Sequence, residues 1–159
     1  MANRFQVSFA GELGIAWSPP TSINDRLSFT GRFSNGTFND TVTAFVPITT
    51  EFQGNVLLAK LSGLSVLSLD YTARFHKNFS VSLTSSYFVL SDLGTYQGSV
   101  NGKDGYFLGN EFYGLLTWSP VSDLQIKGGG GVFLPSLGNA DSSGKMLWRV
   151  DLFAVLALF

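Results

Sequence analysis

The chain of 159 residues contains no cysteine and only one histidine, His76. Without cysteine it can form no disulfide and no thiolate metal site, and it has no cysteine nucleophile. Charged residues make up 13% of the chain, about half of the roughly 25% typical of a soluble domain. A surface covered mainly by charge is therefore excluded.

Long hydrophobic runs are also missing. The longest spans residues 152–159 and has eight residues, whereas a membrane-spanning helix needs about 18 or more. Hydrophobic residues nevertheless make up 45% of the chain. A hydrophobic chain without such a run is typical of a membrane-spanning β-barrel, because lipid-facing and lumen-facing residues alternate along each strand.

Charge of one sign is not in excess, since ten Lys and Arg balance eleven Asp and Glu. There is no basic cluster, so nucleic-acid binding is not expected. The run Gly128 to Gly131 lacks the helix and the Lys-Ser or Lys-Thr of a phosphate loop. We expect it to lie in a strand, where missing side chains leave room for Tyr113 or Phe133. No cofactor and no metal site is predicted.

Period-two alternation is the main feature that is present. In the last such segment Trp148, Val150 and Leu152 alternate with Arg149 and Asp151. Seven segments alternate in this way and are predicted as strands: 4–17, 26–33, 67–75, 79–89, 108–118, 124–134 and 148–158.

Residues 34–64 leave two interpretations open. Residues 40–48 could form an eighth strand, or the stretch could be a long outer loop followed by an extended strand from Asn55 to Phe75. Antiparallel closure with both termini on one side requires an even number of strands. We therefore predict one domain over residues 1–159, an all-β, transmembrane antiparallel up-and-down β-barrel of eight strands. Its short turns are expected at 76–78 and 119–123, and its outer loops near 91–105 and 135–145.

Ten charged residues fall within the predicted strands, and all lie on the face opposite the apolar one. They are Arg4, Glu12, Arg26, Arg32, Asp70, Arg74, Glu111, Lys127, Arg149 and Asp151. An eight-stranded barrel is only wide enough for side chains to fill it, and buried charges must be paired. We expect an interior charged network in which Arg149 and Asp151 pair with Lys127 and, across the closure seam, with Arg4 or Glu12. In a wider barrel the excess of two positive charges would give a weak anion preference.

Two segments resemble known outer-membrane proteins. The last strand, which ends at Phe159, resembles the C-terminal signature that the outer-membrane insertion machinery recognises, so Phe159 is the expected insertion signal. Tyr106 to Glu111, Trp118-Ser119-Pro120 and Gly128 to Pro135 resemble the C-terminal part of alginate-export-type porins. The resemblance implies a lipid bilayer as partner and the outer membrane of a diderm bacterium as location. That family forms larger barrels that pass an anionic polysaccharide, so the chain would be a small relative or a C-terminal segment.

Several functions remain open at this point. The first is a non-enzymatic, membrane-anchored barrel with a side-chain-filled polar interior. The alternatives are a solute channel or segment of a larger porin and, less favoured, a soluble ligand-binding barrel or sandwich. His76 is close in sequence to Asp70 and Ser80, but it falls in a short turn beside Lys77. We therefore predict a solvated histidine and no catalytic residue.

Overall fold

The computed structural model describes residues 7–37, 44–47, 51–92, 106–135 and 145–157. These residues form an all-β structure, and no helix among them is long and apolar enough to cross a membrane. The strands are β1 (Ala10–Trp17), β2 (Arg26–Ser34), β3 (Phe52–Gln53), β4 (Ala59–Lys60), β5 (Leu64–His76), β6 (Phe79–Leu90), β7 (Phe107–Val121), β8 (Leu124–Leu134) and β9 (Leu147–Leu156).

Seven of these strands form one antiparallel up-and-down sheet in the order β1-β2-β5-β6-β7-β8-β9. The strands β3 and β4 pair only with each other. The seven sheet strands correspond to the seven alternating segments of the sequence, which confirms those predictions, although the first strand begins only at Ala10 and Ser8 and Phe9 are not part of it. Residues 4–6 of the first segment lie outside the described ranges.

The strand register divides the side chains between two faces, since directly paired residues project to the same side of a sheet. One row across the sheet is Ile15, Phe29, Leu69, Ser85, Phe112, Val132 and Trp148. The next is Ala16, Ser28, Asp70, Thr84, Tyr113, Gly131 and Arg149. We call the side of the first row the apolar face and the side of the second row the polar face.

The connections differ in length at the two ends of the sheet. At the short-turn end, residues 18–25, 77–78 and 122–123 join neighbouring strands. At the long-loop end the connections are residues 35–63, 91–106 and 135–146. The predicted hairpin at 76–78 is confirmed. The predicted link 119–123 is too long, because Val121 pairs with Leu124 after a register shift that follows Trp118.

Strands β1 and β9 form the two edges of the sheet, and no pairing between them occurs among the described residues. With seven strands alternating in direction, β1 and β9 run the same way. Residues 44–47 of the candidate eighth strand are not in a strand, and the rest of 40–48 lies outside the described ranges.

A buried core lies near the long-loop end, formed by Leu64, Val66, Phe88, Leu90, Leu108 and Phe133. Strict alternation along the predicted strand 108–118 would place Leu108 on the apolar face with Phe112 and Leu116, and that prediction is wrong. A register shift in the β6–β7 pairing takes the partner of Phe88 to Gly109 and that of Val89 to Phe107. The extra residue, Leu108, has no partner on β6, as is usual for a β-bulge. It therefore leaves the alternation, and its side chain is buried in the core.

Candidate functional site: a hairpin on the polar face

Residues 51–63 fold back over the polar face as a small hairpin, which we call the inner hairpin. Phe52 pairs with Lys60 and Gln53 with Ala59. The expectation of one extended strand from Asn55 to Phe75 is therefore wrong. The chain reverses because Gly54, Leu58 and Gly63 adopt positive φ angles of 79°, 53° and 60°, which extended strands do not use.

The carboxylate of Glu111, the fifth residue of β7, anchors this hairpin. It accepts hydrogen bonds from the backbone N–H groups of Asn55, Val56 and Leu57 at 2.5–2.9 Å. Glu111 is fully buried, with 0% of its surface exposed. Three N–H donors directed at one carboxylate form an anion-binding concavity, so the buried negative charge is compensated by backbone dipoles.

Gly54 lets the hairpin approach this closely. A Cβ atom at residue 54 would lie 2.7 Å from Glu111 Oε2 and 2.7 Å from Phe88 Cζ. Both neighbours are buried. Any larger residue at this position would move the hairpin away from Glu111.

Two arginines on the polar face, one near each edge of the sheet, hold the hairpin. Arg32 of β2 donates to the side chain of Gln53 at 2.8 Å, and Arg149 of β9 donates to the carbonyl of Asn55 at 3.0 Å. Val56, Leu57 and Ala59 pack against the buried core. The inner hairpin is thus fixed by apolar packing as well as by charged groups.

The register places nine of the ten predicted interior charges on the polar face. Arg4 and the predicted insertion signal Phe159 lie outside the described ranges. Two ion pairs form between members of this set, Arg32 with Glu12 at 2.9 Å and Arg149 with Asp151 at 2.8 Å. Arg32 also pairs with Glu51, at the start of the inner hairpin, at 3.7 Å. Arg149 and Asp151 pair with each other, and Asp151 also accepts a hydrogen bond from Tyr113 at 2.9 Å. The predicted pairing with Lys127 or Glu12 is not found among the described residues, and the predicted pairing with Arg4 falls outside them.

The other charged residues of this set belong to none of the ion pairs found among the described residues. Asp70 accepts a hydrogen bond from Thr84 at 2.6 Å. Arg26, Arg74 and Lys127 make no ion pair with any described residue. Arg74 and Lys127 belong to the row nearest the short turns, with Ser80 and Thr117 between them. The paired charges therefore lie towards the hairpin, and unpaired cations lie towards the short-turn end.

The glycines of β8 accommodate Tyr113. A Cβ atom at Gly129 would lie 2.8 Å from Tyr113 Cζ, and one at Gly131 would lie 2.7 Å from Tyr113 Cδ2. The tyrosine ring therefore lies against the glycine backbone, as the sequence analysis expected. His76 is exposed and accepts a hydrogen bond from the backbone of Asn78.

The sequence analysis missed the inner hairpin. Its strands have two residues each and are too short to show alternation. Its main contact joins Glu111 to Asn55, Val56 and Leu57, which lie between 54 and 56 positions earlier in the chain. The signal that could have indicated it is the apolar run Val56 to Ala59 between Gly54 and Gly63. Such a run between two turn residues is unusual for a solvated loop.

No protein-family model matches this chain, and no curated protein matches it. The resemblance of residues 106–135 to alginate-export-type porins stays a prediction.

Proposed function

We propose that the seven-stranded sheet is the lipid-facing wall of a non-enzymatic outer-membrane β-barrel in a diderm bacterium. The polar face lines the interior of this barrel, and the inner hairpin fills part of it. The single observation that carries the proposal is the exposure of large apolar side chains on one face of the sheet, on six of its seven strands.

Large side chains of the apolar face are exposed on six of the seven sheet strands, and on β8 they are half-buried. Ile15, Phe29, Leu69, Phe112 and Trp148, all in one row, are 72%, 45%, 46%, 45% and 71% exposed. A soluble monomer rarely exposes an apolar patch of more than a few hundred Å². The buried core lies on the other side, between the sheet and the inner hairpin. A soluble sandwich would bury the face that is exposed here.

Aromatic residues at both ends of the apolar face give further support. Trp17, Phe75, Phe79 and Trp118 lie near the short turns, and the rings of Tyr87 and Phe107 contact each other near the long loops, with centroids 5.7 Å apart. Aromatic girdles at the two membrane interfaces are typical of outer-membrane barrels.

A matched pair of substitutions tests the proposal. Leu69→Arg puts a charge on the apolar face and should lower the free energy of unfolding in lipid by roughly 2–4 kcal/mol if the site is near the midplane. Thr84→Arg, in the adjacent row on the polar face, puts the same charge beside Asp70 and should cost clearly less. The parent chain should require detergent or lipid and migrate as a heat-modifiable band.

Equal losses for the two variants in lipid-reconstituted unfolding would contradict the assignment of the faces. Monodisperse behaviour of the parent in buffer without detergent would contradict membrane insertion altogether. That second result would favour a soluble β-protein instead.

A second candidate function is a wall segment of a larger, conducting barrel. The edge strands β1 and β9 run in the same direction, so antiparallel closure needs an odd number of further strands between them, one for the filled barrel and three or more for a larger one. A larger barrel leaves an aqueous bore, whereas eight strands leave none. Discrete conductance steps in planar bilayers would support this candidate, and a silent bilayer containing the inserted protein would support the filled barrel.

A further inference from the structure

A cleft of about 430 Å³ lies on the polar face, between the inner hairpin and strands β7 to β9. Leu58 of the hairpin, Leu115 of β7, Lys127 of β8 and Phe153 of β9 line it. Its volume is within the range of roughly 300–1,000 Å³ typical of small-molecule sites.

Part of the cleft wall is apolar, although the cleft lies on the polar face. Leu115, Phe153 and Val155 belong to the same side as Lys127 and Asp151, because Lys127 pairs with Phe153 and Gln125 pairs with Val155. Phe153 and Val155 are 50% and 54% exposed. Large apolar side chains in a polar interior are unexpected unless something apolar covers them.

The cleft also holds a cation that has no acidic partner. Arg149 is paired with Asp151, so these two charges compensate each other. Lys127 makes no ion pair with any described residue. The lining residues therefore leave one positive charge, which is complementary to a single anionic group.

The backbone conformation of Leu58 is an independent indication that the cleft is a ligand site. It is a non-glycine residue with a φ of 53°, and it is 40% exposed where its side chain lines the cleft. A bulky residue rarely adopts this conformation, and such strain concentrates at ligand sites. A glycine or asparagine would relieve it, but neither would supply an apolar wall.

We propose that this cleft binds a small organic monocarboxylate with an apolar body, such as an aryl acid or an alkyl acid longer than acetate. The carboxylate pairs with the Lys127 ammonium group, and the body packs against Leu58, Leu115 and Phe153. The proposal rests on the proposed function in one respect, which is that the cleft faces the interior of a barrel.

The test uses the full chain in lipid nanodiscs and 4-fluorobenzoate as the probe, followed by fluorine NMR. We expect saturable binding, no saturable binding of the neutral 4-fluorobenzamide, and little competition from acetate, which has no apolar body to pack. Glucuronate, a hydroxylated anion, should also compete poorly. Saturable binding of the amide, or competition by acetate or glucuronate equal to that of unlabelled benzoate, would overturn the proposed ligand class.

Variants assign the site. Lys127→Gln should weaken binding at least tenfold, and Lys127→Arg should retain it within a few-fold, because the positive charge is kept. Phe153→Ser should also weaken binding, through loss of the apolar wall. Lys77→Gln, in the exposed turn between β5 and β6, is the control and should bind as the parent does. Equal affinity of Lys127→Gln and the parent would overturn the proposal.

Insertion is measured on the same samples by flotation with lipid and by heat-modifiable migration. A chain that inserts but does not bind 4-fluorobenzoate overturns the cleft proposal and leaves the proposed function standing. A chain that does not insert but binds through Lys127 in buffer overturns the proposed function and supports the cleft.

Discussion

The contact that fixes the inner hairpin depends on one side chain, Glu111. Its carboxylate is fully buried and accepts three backbone hydrogen bonds. Glu111→Gln removes the charge and turns an amide donor towards N–H groups that are donors themselves. We expect the free energy of unfolding in lipid to fall by roughly 2–4 kcal/mol.

Glu12→Gln is the matched control for this substitution. Glu12 forms an ion pair with Arg32, but its side chain is 55% exposed, so the loss should stay below about 1 kcal/mol. Limited proteolysis within residues 51–63 gives a second measurement, since the hairpin should be cut faster in Glu111→Gln only. Similar unfolding energies for the two variants would show that the three backbone contacts do not stabilise the fold.

Gly54 supports a prediction of its own. Gly54→Ala forces a side chain onto a backbone with a φ of 79° and places its Cβ 2.7 Å from two buried neighbours. Strain and overpacking together should cost roughly 2–4 kcal/mol of unfolding free energy in lipid. Gly128→Ala is the control, because a Cβ there meets nothing within 4 Å. A Gly54→Ala variant as stable as Gly128→Ala would mean that the hairpin does not pack against Glu111 and Phe88.

At the scale of single residues, the sequence allowed the face of a charge to be predicted but not its partners. Alternation is a local property, so the side on which Glu111 or Asp151 lies follows from its neighbours in the chain. The pairing of Asp151 with Arg149, two positions away, and with Tyr113 depends on rotamers and on the space above Gly129 and Gly131. Neither the rotamers nor this space can be derived from the period-two alternation of the sequence.

At the scale of elements, the seven long strands were predictable because each has one apolar face and one polar face. The inner hairpin was not, because two-residue strands carry no period and the hairpin forms through contacts with β2, β7 and β9. The bulge at Leu108 was missed for a related reason. One extra residue reverses the alternation locally. The sequence has a glycine next to the bulge, Gly109, but its φ of 152° is known only from the structure.

The polar face is divided along the strand direction. At the long-loop end the inner hairpin, the core and the two ion pairs cover it. At the short-turn end Arg74 and Lys127 carry charge that no described acid compensates. In a barrel this arrangement fills one end of the interior and gives the other a positive potential, which attracts anions.

For the whole molecule, the direction of the edge strands decides how a barrel can close. Strands β1 and β9 run the same way, so pairing them directly would create a parallel seam, whereas bacterial outer-membrane barrels are antiparallel throughout. Unpaired backbone groups at a sheet edge are not tolerated in the hydrocarbon core. We therefore expect the two edges to pair with further antiparallel strands and not with each other.

The absence of cysteine makes this expectation directly testable. Leu13 or Ile15 on β1 is changed to cysteine together with Val150 or Leu152 on β9, which gives four double variants on the apolar face. A disulfide needs Cα atoms within about 7 Å, so no intramolecular crosslink should form in the inserted protein under mild oxidation. The positive control is Ile15→Cys with Phe29→Cys, whose positions pair directly across β1 and β2 and should crosslink readily. An intramolecular β1–β9 crosslink at any of the four pairs would mean that the seven strands close through a parallel seam, and the candidate of a larger barrel would then lose its support.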